Sequence, residues 1–473
     1  MAKTVIVIIK NQGCLGKLLE GSKKFISYDD AVSLSLSLVD FERSIHSPGH
    51  SDFHLERMRL FGNLLGNPQN EVPSVHIAGT KGKGSTAAMV TSILLASGFT
   101  VGLATSPHLH SLTERIRVDM QPIPKDDFVG LVLTLWPDVL KVESDYDLGP
   151  ITWFEFMTMA AFYFFHFRRL DFQVIETGLG GRLDATNIID PLVSSITSIS
   201  LDHTSILGND VKMIAREKAG IIKERKPVVV SCQSSEVLNV IQTIADERCS
   251  PLIDTSKMNV SSAQNRRNGL QQTKVKGRLE EYEFLLPLIG HHQVYNSLNA
   301  IGISEMLMEQ GYPVSKTSIE MGLSNVSWPG RMEILKSDGP IVVVDGAHNQ
   351  HSVMVAAQAI LDNFEYSKLT LVFGATTGHD MLSMLRELLR LQPTIIPVKT
   401  RHPKSVSCVD IYSDGEIVGL NLISGNYTVS EGLETAIANA ESSDIIVAMG
   451  SLSVVAESIE YMKNMEPEIY SEF

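Results

Sequence analysis

The stretch HIAGTKGKGST, His76 to Thr86, packs three glycines and two lysines into eleven residues directly after an apolar run. A short strand delivers the backbone, glycines let amide N–H groups converge, and a hydroxyl residue opens a helix whose positive end faces the same point. Such a loop is shaped to hold phosphate. It belongs between a buried strand and its crossover helix, which places the chain in the α/β class. Measured against GxxxxGK[ST], Gly82-Lys83 fits the core, Ile77 holds the first glycine position, and Gly84 stands at the hydroxyl position with Ser85 and Thr86 following. The expected phosphate-binding residues are Gly79, Thr80, Lys81, Gly82, Lys83, Gly84, Ser85 and Thr86. A glycine-rich turn without a nucleotide role is the alternative.

Five short apolar runs read as strands: SVHIAG, TVGLATS, FQVIETG, VSSITSIS and PVVVSC. Helical patterns such as STAAMVTSILLASG (Ser85 to Gly98) separate several of them. Strands alternating with helices predict a mostly parallel, doubly wound sheet. Upstream, SYDDAVSLSLSL marks one helix and DFHLERMRLFGNLLG (Asp52 to Gly66) another, with Leu55, Met58, Leu60 and Leu64 as its apolar stripe. The section from Ile253 to Leu288 alternates in polarity, which suggests antiparallel strands or a mobile insertion, and a helix follows around NSLNAIGISEMLMEQG. SWPGR (Ser327 to Arg331) reads as a linker. Beyond it PIVVVDGAHN, LTLVFGATTGHD, TIIPVKTRHP and DIIVAMGSLS begin a second α/β series. The predicted division is residues 1–328, a P-loop ATPase-like doubly wound domain, and 329–473, a smaller Rossmann-like domain. Ligands of open α/β sheets sit at the carboxyl ends of the strands, so both halves aim loops at one cleft.

Composition narrows the function. The length, 473 residues, exceeds the roughly 100–200 typical of one domain, and 44% hydrophobic with 20% charged residues supports packed cores. The net charge of −14 and the lack of any basic run argue against nucleic acid as a partner. Cys14, Cys232, Cys249 and Cys408 are scattered without CxxC spacing and read as reduced, structural thiols of a cytoplasmic protein. No stretch approaches the about 20 apolar residues that span a bilayer, so no membrane partner is expected. MTMAAFYFFHF (Met157 to Phe167) reads as a buried core helix, and the apolar run near the N-terminus is too short for a secretory leader.

Single residues sharpen the picture. Glu176 ends the strand FQVIE, where its carboxylate projects into the cleft; a surface carboxylate is the alternative. Lys218 lies in NDVKMIAREKAGIIK seven residues after Val211 and four after Ile214, in the middle of a stripe formed by Val211, Ile214, Ala215, Ile221 and Ile222. Desolvation there favours the neutral amine, which can add CO₂ to give a carbamate anion. A lysine that snorkels to solvent or pairs with a carboxylate is the competing reading.

GTKGKGS resembles the GT[NK]GKGS loop of the folylpolyglutamate synthase and dihydrofolate synthase family of Mur-type ATP-dependent amide ligases. LERMRLFGNLLGNPQN, TSPHLHSLTERIRV, ETGLGGRLDATN, SLDHTSILG, IAREKAGIIK, GHHQVYNSLNA, PGR, DGAHN and GSL all appear in family order, spanning Ser27 to Ser453. The resemblance implies ATP-dependent addition of L-glutamate to a folate, with dihydropteroate a further acceptor, through an acyl phosphate that releases ADP and phosphate. It implies Mg²⁺, two ions, held by Ser106, Glu176 and His203, and a carbamylated Lys218. His203 read without it is a helix cap or core histidine. The resemblance gives nucleotide contacts to Asn296, Arg331 and Asp345, assigns His348 and Ser451 to the incoming glutamate, and makes Arg115 a contact to the pterin-bearing substrate. Lys83, Lys218 and His348 are the expected catalytic side chains. A monomer is expected.

GATTGHD (Gly374 to Asp380) departs from the family, with Gly378-His379 where many relatives carry Asp-Lys. Residues 1–26 precede the usual family start and receive no function. Two other readings compete: a cell-wall ligase of the Mur type, for which residues 1–75 leave too little chain for a UDP-sugar domain, and an ATP-binding module without ligase chemistry.

Overall fold

A computed structural model describes residues 26–40, 55–146, 148–264 and 269–470. The expectations for the N-terminal apolar run, Cys14 and positions 52–54 therefore lie outside the described residues.

The first sheet contains β1 (Ser74–Ala78), β2 (Val101–Ala104), β3 (Ile116–Val118), β4 (Gln121–Pro122), β5 (Phe172–Glu176), β6 (Val193–Ile196), β7 (Val228–Val230) and β8 (Leu252–Asp254), in spatial order β4-β3-β2-β5-β1-β6-β7-β8. β2 and β5 to β8 run parallel to β1, while β3 and β4 fold back as an antiparallel edge. All five predicted strands are present. β1 lies between β5 and β6 although its sequence successor β2 lies beyond β5, so the crevice of this sheet opens at the carboxyl end of β1.

β1 and β5 are buried along their whole length, as strands covered on both faces must be. Val174 packs on one side with helices Lys83–Ala96 and His291–Glu309, and Ile175 on the other with helices Lys125–Asp145 and Trp153–Phe167. The helix around Met157 to Phe167 is thus a core helix. Among the described residues no helix is long and apolar enough to cross a membrane.

The alternating section folds into a three-stranded antiparallel sheet of β9 (Asn259–Gln264), β10 (Gln271–Lys276) and β11 (Glu281–Leu286). β10 and β11 bury every second residue, and Val275, Tyr282, Phe284 and Leu286 join the core beneath the first sheet.

The last sheet holds β12 (Glu333–Lys336), β13 (Ile341–Asp345), β14 (Leu369–Phe373), β15 (Thr394–Lys399), β16 (Asn421–Leu422) and β18 (Ile445–Met449) in the order β12-β13-β18-β14-β15-β16, with β17 (Tyr427–Thr428) pairing β15. Alternate residues again serve two faces, Val343 and Val447 one core, Val344 and Ala448 the other. The chain is of the mixed α/β class expected. After helix Leu452–Lys463, residues 465–470 run back to the first sheet's helices, where Glu468 pairs with Lys125 at 2.5 Å and accepts from Tyr28 Oη at 3.2 Å.

Three local expectations need correction. Helix Leu55–Leu64 buries Arg57, Met58 and Phe61, while Leu55, Leu60 and Leu64 are half-buried. The stripe turned toward Arg57 because Glu155, itself buried, takes that guanidinium at 2.8–3.1 Å. The helix bearing Lys218 ends at Ala219, so Ile221 and Ile222 are buried beyond its last turn. Of the cysteines expected to be structural, Cys408 is buried but Cys232 and Cys249 are exposed.

Candidate active site

The loop after β1 is fixed by its neighbours on every glycine. Gly79 has φ +151°, and a Cβ there would stand 1.8 Å from Thr197 Oγ1. Gly82 has φ +88° and caps helix Lys83–Ala96; a Cβ there would stand 2.3 Å from Asn296 Oδ1. At Gly84 a Cβ would press on the indole of Trp328 at 3.2 Å. The backbone follows: the N–H groups of Thr80 and Lys81 donate to the Ser198 carbonyl, and the Thr80 hydroxyl donates to the Ser200 carbonyl. Asn296, expected at the nucleotide, is thus in contact with the loop. Ser85 and Thr86 are buried in the first turn of the helix.

Lys83 Nζ lies 3.9 Å from Glu176 Oε1, at the end of β5. Ser106 donates its N–H to the other oxygen of Glu176 at 3.2 Å. Burial pushes the Glu176 carboxyl above its usual range, against the pull of Lys83 and the Ser106 N–H. Arg115 lines the same pocket, together with Phe154 and Thr186. Its guanidinium stacks 4.4 Å from the centre of the Trp153 ring, and its Nε donates to His108 Nδ1 at 3.0 Å. Glu114 shapes this segment by accepting the N–H groups of Leu109, His110 and Ser111.

Lys218 is 4% exposed and does not reach solvent; its Nζ donates to the Gly79 carbonyl at 2.8 Å. Burial lowers this amine to about 7, with the nearby Lys83 charge adding to the effect.

The last sheet carries the other expected site residues at the ends of β13 and β18. His348 is held by its ring Nδ1 on the Gly346 carbonyl at 2.8 Å. Burial and the charge of Lys81 lower it to about 4, so it is a neutral imidazole near neutral pH. Its ring lies 5.4 Å from that of His379. Lys81 reaches Asp202 at 2.9 Å; burial works to raise Asp202, but Lys81 and His203 outweigh it and hold it near 2. Asp345 is buried and accepts the N–H groups of Met332 and Ala347, each at 2.9 Å. The same turn brings Arg331 against Gly346. Ser451 is buried and caps helix Leu452–Lys463 by accepting from Val454 N.

Of the expected metal set, the structure joins Ser106 and Glu176, whereas the His203 side chain is 59% exposed with Asp202 Oδ1 3.9 Å from its Nε2. Among the described residues no group of three or more His, Cys, Asp or Glu side chains forms a cage. Mg²⁺ is commonly held by one or two carboxylates with phosphates and water, and a single buried carboxylate beside hydroxyl residues suits it. The hydroxyls of Thr86 and Thr177, next in sequence to Ser85 and Glu176, are buried without a hydrogen-bond partner, as polar groups of a ligand site often are. The donors therefore fit Mg²⁺.

Reading the sequence missed Asp202, Thr197 and His108. Asp202 stands inside SLDHTSILG directly before His203, in a segment that the sequence did mark. His108 likewise stands inside TSPHLHSLTERIRV, whereas nothing in the spacing of Thr197 marks it.

The Mur ligase middle domain family matches residues 158–304, and the Mur ligase glutamate ligase domain family matches residues 330–452. A dihydrofolate synthase/folylpolyglutamate synthase of Bacillus subtilis is 34% identical over 93% of this chain and all of its own length. A Mycobacterium tuberculosis folylpolyglutamate synthase solved with ADP and AMPPCP superposes with TM-score 0.80 at 29% identity, covering 88% of this chain and 96% of that one. An FPGS–AMPPCP–folate complex does so with TM-score 0.78 at 27% identity, covering 93% and 100%. The P-loop, the paired α/β sheets and these likenesses agree: the chain belongs to the folylpolyglutamate synthase/dihydrofolate synthase family of the Mur ligases and is an ATP-dependent amide ligase.

Proposed function

We propose that this enzyme joins L-glutamate to tetrahydrofolate and its glutamylated forms, and also to dihydropteroate, by way of an acyl phosphate that releases ADP and phosphate. The observation that carries the reading is the facing of two half-sites: Lys83 beside Glu176 at the P-loop, and the neutral His348 opposite Lys81. The B. subtilis relative's two named activities and the folate complex of a structural neighbour support the two acceptors and the substrate class.

Amide formation from a carboxylate is uphill, so the γ-phosphoryl group of ATP first activates the folate carboxylate. Lys83 offsets charge on the phosphoryl group as it moves, while the loop amides and Ser85 orient it. Arg115 holds the folate. His348, neutral at working pH, accepts a hydrogen bond from the glutamate amine and orients it, with Ser451 beside it. Asn296, Arg331 and Asp345 complete the nucleotide side. Glu176, Ser106 and His203 would hold Mg²⁺, which would supply charge neutralisation for the phosphoryl group, and a second ion belongs to the same reading. The buried amine of Lys218, lowered to about 7, suits carbamylation. The division at residues 328 and 329 and a monomeric state belong to the same reading.

The test is glutamate incorporation by the purified enzyme with tetrahydrofolate and dihydropteroate side by side, with the nucleotide product identified. Incorporation with both and release of ADP is expected. AMP as product refutes the acyl phosphate, and incorporation with one acceptor alone limits the enzyme to that step.

A further inference from the structure

The segment between Ser106 and Arg115 is gripped from outside its own sheet. Leu112 opens a 3₁₀ turn, Leu112–Arg115, and the first N–H groups of such a turn have no partner within it. Tyr470 Oη accepts the Leu112 N–H at 2.8 Å and donates its own proton to Glu468 Oε2 at 2.6 Å. Glu468 is in turn anchored by Lys125 and Tyr28. The Tyr470 ring stands edge-on to the imidazole of His108, centroids 6.3 Å apart at 89°. His108 is the group that accepts from Arg115 Nε, and Arg115 shares its pocket with Glu176. A second tie comes from the same side: His110 Nδ1 lies 3.0 Å from Glu460 Oε1, on the last helix, and Glu460 also pairs with Arg401.

We propose that Tyr470 is a positioning residue for the folate acceptor, acting through Leu112 and His108 to hold Arg115 in its pocket. This rests on the reading that Arg115 contacts the folate. The tail carrying Tyr470 continues from helix Leu452–Lys463, which follows β18 of the last sheet, so the pose of Arg115 depends on how that sheet sits against the first. Burial first, and the bond to Glu468 second, raise the phenol above its ordinary range, which favours its protonated, donating form.

The test compares Tyr470→Ala, Tyr470→Phe, Arg115→Ala and the double variant Tyr470→Ala/Arg115→Ala, with Ile469→Ala, at a residue 75% exposed, as a control in the same tail. KM and kcat are measured for tetrahydrofolate, ATP and glutamate. Tyr470→Ala is expected to raise the tetrahydrofolate KM about tenfold, the scale of a lost buried hydrogen bond, with kcat and the other two KM values nearly unchanged. Tyr470→Phe, which keeps the ring on His108, gives a smaller rise and decides the matter should the alanine variant unfold. The double variant is expected to match Arg115→Ala, because both changes act through one group. A wild-type tetrahydrofolate KM in both Tyr470 variants, an equal rise in all three KM values, or additive effects in the double variant overturns the proposal. Arg115→Ala with an unchanged tetrahydrofolate KM overturns the reading of Arg115 itself, and the proposal with it; a raised KM there beside silent Tyr470 variants overturns the tail's role alone.

Discussion

Lys218 Nζ donates to the carbonyl of Gly79 across 2.8 Å, tying a helix far along the chain to the first glycine of the phosphate loop. Lys218→Ala is expected to lose most ligase activity while the far-UV spectrum stays native, and added formate or acetate to restore part of it by standing in for a carbamate. Lys218→Arg stays inactive because a guanidinium does not take up CO₂. Full activity in the arginine variant would falsify carbamylation.

The same residue gives a pH dependence. Its amine is lowered to about 7 by burial first and Lys83 second, against an ordinary value of about 10.4. Between those values the unfolded chain binds the extra proton, so the stability of the ligand-free protein is expected to rise with pH from about 7 to about 10. Urea midpoints across that window should climb in the wild type and climb less in Lys218→Met. Parallel curves would show that the amine is not desolvated.

Lys83→Ala removes the cation beside Glu176. A fall in kcat of about 10²-fold or more is expected, with the fold retained. Turnover within a few-fold of wild type would remove Lys83 from the chemistry.

Gly82→Ala places a methyl group on Asn296 and forces φ +88° on an L-residue. The conformational strain alone is about 1–2 kcal/mol, and a raised KM for ATP is expected, as measured by initial rates. Gly378, at φ +95° but with open space around it, is the comparison: its alanine variant carries strain without the clash and should leave ATP binding nearer wild type.

Arg57 and Glu155 form a buried pair, and Glu155 also accepts the Thr152 N–H that opens helix Trp153–Phe167. Arg57→Met strands that carboxylate, and a loss of about 3–5 kcal/mol in urea unfolding is expected. A change below 1 kcal/mol would mean that the carboxylate is neutralised or hydrated instead.

Much of this architecture was legible because local patterns and packing agree. The strand before the P-loop, the buried strand ending at Glu176 and the lysine in an apolar stripe each follow from period and residue type. The stripe of helix Leu55–Leu64 was misjudged because an ion pair with Glu155, distant in sequence, buried Arg57. Asp202, beside His203, was not legible, since a motif marks a segment and only the fold shows that this carboxylate meets Lys81. The Tyr470 contacts join residues hundreds of positions apart and leave no periodic trace.

Each glycine of the phosphate loop is matched to a side chain from elsewhere: Gly79 to Thr197, Gly82 to Asn296, Gly84 to Trp328. The loop is consequently not a portable cassette. Grafted into another ligase without those three partners, it would keep its letters and lose its shape. Drift at Thr197, Asn296 or Trp328 would reshape the nucleotide cradle with no letter of the loop itself changed.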